Sequence, residues 1–76
     1  MNRIDKVLSR VLRLDSDSIR DDLTPHDVKT WDSLAGLLLV AELERTFNIV
    51  FTLSEVQTIR CVGDIKKILA HHGVCE

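Results

Sequence analysis

Large aromatic side chains are scarce in this 76-residue sequence: there is no tyrosine, and Phe47, Phe51 and Trp31 are the only phenylalanines and tryptophan. A core must then be built from Leu, Val and Ile, which suits packed aliphatic helices. Glycine and proline are scarce too, with three and one respectively, and no phosphate-cradling glycine loop occurs. The two cysteines, Cys61 and Cys75, form no CxxC pair and are too few for a disulfide scaffold. They read as thiols of a reducing compartment. No apolar run approaches the roughly 20 residues that cross a bilayer. The segment Met1-Asn2-Arg3-Ile4-Asp5 has no apolar stretch of the secretory-signal kind. A cytoplasmic chain without membrane insertion is expected.

What is present fits one small domain, expected to span residues 1–76. A domain of this size buries only about 60–65% of the surface its unfolded chain exposes. That leaves little volume for a water-excluding catalytic site, so a module that binds or carries is favoured over an enzyme. His26, His71 and His72 have no recognisable nucleophile partner, and no catalytic residue is assigned. His71, His72 and Cys75 could touch a metal together, but they adjoin the chain end without a supporting shell, and no metal site is assigned. Charge is uneven. Residues 15–55 hold nine acids and three bases, a sum of −6, whereas the rest hold three acids and seven bases, a sum of +4. Arg3, Lys6, Arg10 and Arg13 fit the solvent side of an amphipathic helix rather than a nucleic-acid face. The acidic middle favours partners with basic docking surfaces.

Four helical segments emerge from periodicity. Ile4, Val7, Leu8, Val11, Leu12 and Leu14 recur at helical spacing, with Asn2 as N-cap and Asp5 at the third position. That helix stops near Asp15-Ser16-Asp17-Ser18, whose side chains compete for backbone groups. Residues 16–31 form a long first loop pinned by Ile19, Leu23 and Val28. A second helix opens with Asp32 as N-cap and Ser33 as its first residue, and ends near Phe47, before Asn48. A helical wheel puts Leu37, Leu39, Val40, Ala41, Leu43 and Phe47 on a core-facing arc with Leu34 at its edge. Ala35, Leu38, Glu42, Arg45 and Thr46 fall opposite. Gly36 falls on the core arc, where its cost of about 1 kcal/mol against Ala calls for a packing gain from a closely approaching segment. Ile49, Val50 and Phe51 read as an apolar connection into the core. Thr52-Leu53-Ser54-Glu55 matches the capping box and starts a short helix with Leu53, Val56 and Ile59. The last helix begins near Val62, carries Ile65, Ile68 and Leu69 on one face and stops at Gly73. Cys61, a poor N-cap, leaves its start prone to fraying. The expected fold is all-α, with three main helices, one short helix and a long first loop.

Ser33 is the candidate for chemistry. A serine in the first helical turn exposes its hydroxyl beside unpaired N–H groups, an environment that suits a phosphodiester on its oxygen. Alone, Asp-Ser-Leu is a capped helix start like many others. Asp32-Ser33-Leu34 is followed, however, by Leu39-Val40, Leu43-Glu44, Phe47 and Ile49, and then by Val62-Gly63-Asp64-Ile65. In this order and spacing the sequence resembles the acyl carrier protein family across nearly its whole length.

The resemblance implies a four-helix bundle, free-standing and monomeric when not bound to a partner. It implies that a phosphopantetheinyl transferase attaches 4′-phosphopantetheine from coenzyme A to Ser33. The arm's thiol then bears acyl thioesters for the synthases, dehydratases and reductases of fatty-acid, lipid or polyketide-type biosynthesis. It further implies docking through the helix that begins at Ser33, with Asp32, Leu34, Leu38 and Glu42 as candidate contacts, and a cleft that shelters cargo. Many fatty-acid carriers of this family are strongly acidic on that helix soon after the serine. Here Ala35 and Leu38 stand instead, and Arg45 interrupts Glu42 and Glu44, so a more apolar interface is expected. Trp31 marks a specialised carrier or anchors the loop. Two alternatives stay open: an aminoacyl or peptidyl carrier, and an unmodified helical interaction domain.

Overall fold

Three of the four helices of the computed structural model, which describes residues 2–74, begin at a short polar side chain that caps them: Asn2, Asp32 and Thr52. Helix α1 spans Arg3–Leu12, and Asn2 Oδ1 accepts the Asp5 N–H at 2.8 Å. It ends at Arg13, which adopts the left-handed conformation (φ 57°) and donates its N–H to the Ser9 carbonyl. Helix α2 spans Ser33–Phe47 and ends at Asn48, also left-handed (φ 54°), a conformation that Asn tolerates well. The five-residue α3, Leu53–Gln57, carries the expected reciprocal capping box between Thr52 and Glu55. Helix α4 spans Val62–His71, and the chain turns out of it through Gly73 at φ 86°. Among the described residues there is no strand, and no helix is long and apolar enough to cross a membrane.

The core is a continuous aliphatic cluster. Leu8, Leu12, Leu39, Leu43, Val62, Ile65 and Leu69 are almost wholly buried and bring α1, α2 and α4 together. The loop is structured rather than slack: a 3-10 turn covers Ser16–Ser18, and Leu23, Val28 and Trp31 insert into the core. Leu23 and Val28 pin the loop as expected, while Ile19 packs only partly buried at the margin. Trp31 anchors the loop, the second of its two readings.

Three features differ from the sequence reading. The buried stripe of α2 is Ala35, Leu39 and Leu43, one turn apart, whereas Leu37 and Ala41 face solvent. The reason is that α2 is apolar nearly all the way round its first turns, so apolarity alone gives it no direction. Docking against α1 and the loop sets the rotation. The connection after α2 buries Phe51 but leaves Val50 exposed, as is Leu53 at the start of α3. The start of α4 does not depend on its cap: Cys61 makes no capping bond, but the Val62 N–H donates to the Leu23 carbonyl at 3.0 Å and the Gly63 N–H to the Asp21 carbonyl at 2.7 Å. The loop closes this helix end, so the expected fraying has no basis among the described contacts.

Candidate functional site

The start of α2 is positioned from both sides. Upstream, Asp27 Oδ2 accepts hydrogen bonds from the Thr24 N–H (3.2 Å) and hydroxyl (3.1 Å), closing a turn around Pro25 and His26. The Thr30 hydroxyl donates to the Leu12 carbonyl and ties the loop to the end of α1. Downstream, Asp32 Oδ1 accepts the Ala35 N–H at 2.8 Å, and the Asp32 carbonyl accepts the first helical bond from the Gly36 N–H at 2.9 Å. Ser33 is thereby fixed as the first helical residue and is exposed. Among the described residues its hydroxyl makes no hydrogen bond. The N–H groups of Ser33 and Leu34 precede the first i→i−4 bond, so they keep the partial positive charge of a helix start.

Ser33 also stands at the rim of an apolar cleft of about 170 Å³ that runs between α2, α3 and α4. Pro25, Trp31, Gly36 and Leu37 line it together with Ser33, and Leu39, Val40, Leu43, Val56, Ile59 and Ile65 line the remainder. For scale, an apolar cavity of about 150 Å³ admits benzene, so this volume suits roughly six carbons. Gly36 does not serve a tight helix approach: the nearest heavy atom to a Cβ placed there would be Trp31 Nε1, at an ordinary 3.9 Å. The expected close packing at that position is therefore absent.

The candidate docking residues fall into two groups. Leu34 and Leu38 are 66% and 50% exposed, and with Asp32 they border a shallow groove between the ends of α1 and α2, where Arg13 and Val11 also lie. Leu37, placed by the sequence on the core arc, is 65% exposed and lines the cleft beside Ser33 rather than this groove. Ala35, read as a solvent-side position, is instead buried, with its remaining surface in the lining of that groove. Glu42 lies one turn beyond Leu38, about 6 Å further along the helix axis. Its carboxylate bridges to Arg10 of α1 at 2.9 Å and to Arg45 at 3.7 Å. Glu44 is likewise engaged, accepting the Phe51 N–H at 2.7 Å. The acids of α2 beyond the cap thus face internal partners. The bridge from Glu42 to α1 spans 32 positions, and no local sequence signal announces it.

Two carboxylates elsewhere titrate below their ordinary range. Glu55 is lowered first by the Thr52 backbone N–H of the capping box and then by His72, whose Nε2 lies 3.0 Å from it. Asp64 is lowered first by the Arg60 backbone N–H at 3.0 Å. His72 also stacks on Phe51, with ring centroids 6.0 Å apart. Its ring thus joins α3 to the end of α4. Among the described residues no His, Cys, Asp and Glu group is arranged to hold a metal, and Cys75 lies outside those residues.

A capped, solvent-facing serine at a helix start, on the rim of an apolar cleft in a four-helix bundle, suits a carrier of covalently attached groups. The family model of the phosphopantetheine attachment site matches residues 2–69, and the chain belongs to that family. The solved structure of a Mycobacterium tuberculosis protein described as an acyl carrier protein is similar to it throughout. The TM-score is 0.81 at 32% identity, over 91% of this chain and 92% of that one. No curated protein sequence matches. Members of this family bear 4′-phosphopantetheine covalently, receive it from a phosphopantetheinyl transferase, interact with acyl-handling enzymes and catalyse no reaction themselves. This chain is accordingly a carrier protein and not an enzyme. The residues at the start of α2 fit the group: an exposed hydroxyl to esterify, unbonded N–H groups for its phosphate, and an apolar cleft beside it.

Proposed function

We propose that Ser33 is the attachment residue and that the cargo is an aliphatic acyl group, passed between enzymes of fatty-acid, lipid or polyketide-type biosynthesis in the cytoplasm. The single observation that carries this reading is that, among the described residues, Ser33 is the one hydroxyl residue lining the cleft, and it is also the residue at the open start of α2. When attached, the arm supplies a terminal thiol that holds cargo as a thioester. The chain's own residues do the rest. Asp32 holds the first turn in shape, and the Ser33 and Leu34 N–H groups favour the negative phosphodiester. Beyond Ser33 the cleft presents aliphatic side chains, which favour a hydrocarbon chain over the ammonium of an aminoacyl group, since an unpaired buried charge is costly.

In this reading Asp32, Leu34 and Leu38 form the docking surface for the transferase and the acyl-handling enzymes, with Glu42 at its far margin. The whole chain, 1–76, acts as one carrier domain. Two measurements test the reading. Hydroxylamine release of the cargo from protein isolated from its native cell, followed by mass analysis, is expected to give an aliphatic hydroxamate. An aminoacyl hydroxamate would replace the acyl reading with a peptide-type carrier. Leu38→Glu is expected to lower kcat/KM for acyl transfer roughly tenfold, as the half-exposed leucine gives up part of the 1.5–3 kcal/mol that full burial provides. Unchanged turnover with every partner enzyme would remove Leu38 from the docking surface.

A further inference from the structure

Trp31 combines two properties that rarely coexist. Its side chain is almost fully enclosed, with 6% of the residue exposed, yet among the described residues its indole N–H has no hydrogen-bond partner. Buried tryptophans ordinarily satisfy that donor. The Trp31 backbone N–H donates to the Val28 carbonyl at 3.0 Å, so of the residue's two donors only the ring N–H is left over. It is not sealed inside the protein, because among the described residues the only fully enclosed polar side-chain atom without a hydrogen-bond partner is Asp5 Oδ1. The ring lines the cleft, and among the described residues it brings the only polar side-chain atom to that lining apart from Ser33.

Gly36 provides a second, independent observation. A glycine inside a helix is unfavourable unless packing or function requires it. Packing does not: an added Cβ would meet nothing closer than Trp31 Nε1, at 3.9 Å. What a methyl group would do is cover that nitrogen. Gly36 lies one turn beyond Ser33, on the same side of α2.

Resting on the carrier reading above, we propose that the Trp31 indole N–H is a positioning donor for the loaded arm. It donates to a carbonyl oxygen of the arm or its thioester while the acyl chain lies in the cleft, and Gly36 leaves that donor uncovered. The guest this site selects is therefore a carbonyl group at the mouth followed by an unsubstituted hydrocarbon chain. A hydroxyl or amine deeper in the chain would meet only Leu39, Val40, Leu43, Val56 and their aliphatic neighbours.

The chain has a single tryptophan, so one indole N–H resonance reports on the site. The probe is the octanoyl thioester, loaded from octanoyl-coenzyme A by a broad-specificity transferase, with intact mass recording the loading. Relative to the unacylated holo protein, the indole proton is expected to shift downfield and to exchange more slowly with solvent. Gly36→Ala and Trp31→Phe should each shift the balance of sheltered to exposed chain about fivefold toward exposed, the effect of one net hydrogen bond. Faster attack of hydroxylamine on the thioester would read that shift. An octyl thioether, which lacks the thioester carbonyl, separates the two acceptors. The same indole shift assigns the bond to an amide carbonyl of the arm, and its loss assigns the bond to the thioester. An indole resonance that stays at its holo position and exchange rate in fully octanoylated protein overturns the inference while leaving the carrier reading intact. Failure of the wild-type chain to gain any mass overturns both.

Discussion

Helices α2 and α4 each start with backbone N–H groups that have no partner within the helix, and the molecule treats the two starts differently. At α4 the long loop supplies the missing acceptors, through the carbonyls of Leu23 and Asp21. Asp64, in the first turn, folds its carboxylate back onto the Arg60 N–H. At α2 only the Asp32 cap intervenes, and the first residue is an exposed serine. The comparison separates two uses of one feature. A helix start filled by the protein's own backbone is a structural joint, whereas one left open beside a hydroxyl is available to an anion.

The largest expected effect comes from breaking the closed end. Leu23 is buried and its carbonyl bonds to Val62. Leu23→Ala is expected to cost about 2–4 kcal/mol through the cavity it leaves. Amide exchange at Val62 and Gly63 should accelerate, while Ser33 is still loaded to completion. Loss of loading in a folded Leu23→Ala protein would show that the two ends are not independent.

The two glycines sharpen the contrast, because the same substitution should act with opposite sign. A Cβ on Gly63 would sit 3.1 Å from the Asp21 carbonyl oxygen that its own N–H bonds, so the loop must give way. Gly63→Ala is expected to destabilise by about 1 kcal/mol, the size of one weakened hydrogen bond. Gly36→Ala has room and should stabilise by up to about 1 kcal/mol through helix propensity. For a domain of this size each kcal/mol moves Tm by roughly 4–8 °C, so calorimetry resolves the two. Asp32→Ala, which opens the α2 end further, should cost about 1 kcal/mol.

The smallest effect is on acid stability. Glu55 and Asp64 hold their charge more tightly in the folded chain, their ordinary values of 4.5 and 3.8 being lowered by backbone N–H groups. A lowered native pKa binds fewer protons than the unfolded chain does. The stability this confers is fully present above those ordinary values and is lost as pH falls through the native ones. Chemical denaturation from pH 6 downward should show the loss beginning only near and below 4.5. Glu55→Gln should flatten it.

Helix starts were legible because caps are local: Asn2, Asp32 and the Thr52–Glu55 box each act within one turn, and Gly73 marks its exit by backbone freedom. Ser33 was legible through the motif around it rather than through any property of its own. The rotation of α2 was not, since Leu34, Leu37, Leu38 and Leu39 are equally apolar and only docking distinguishes Leu39 from the rest. The closure of α4 was also hidden, because the acceptors are backbone carbonyls that any residue provides. Trp31 was visible as an oddity. Its unpaired indole beside Gly36 emerges only when the two are brought together in space.

The account stands on the open end of α2 carrying the arm on Ser33. The direct measurement is to incubate the purified chain with coenzyme A and a broad-specificity phosphopantetheinyl transferase, and then to take intact and fragment masses of wild type and Ser33→Ala. One phosphopantetheinyl group on wild type, on the fragment containing Ser33 and absent from Ser33→Ala, is the expected result. An unmodified wild-type chain, or an adduct that survives in Ser33→Ala, would contradict it.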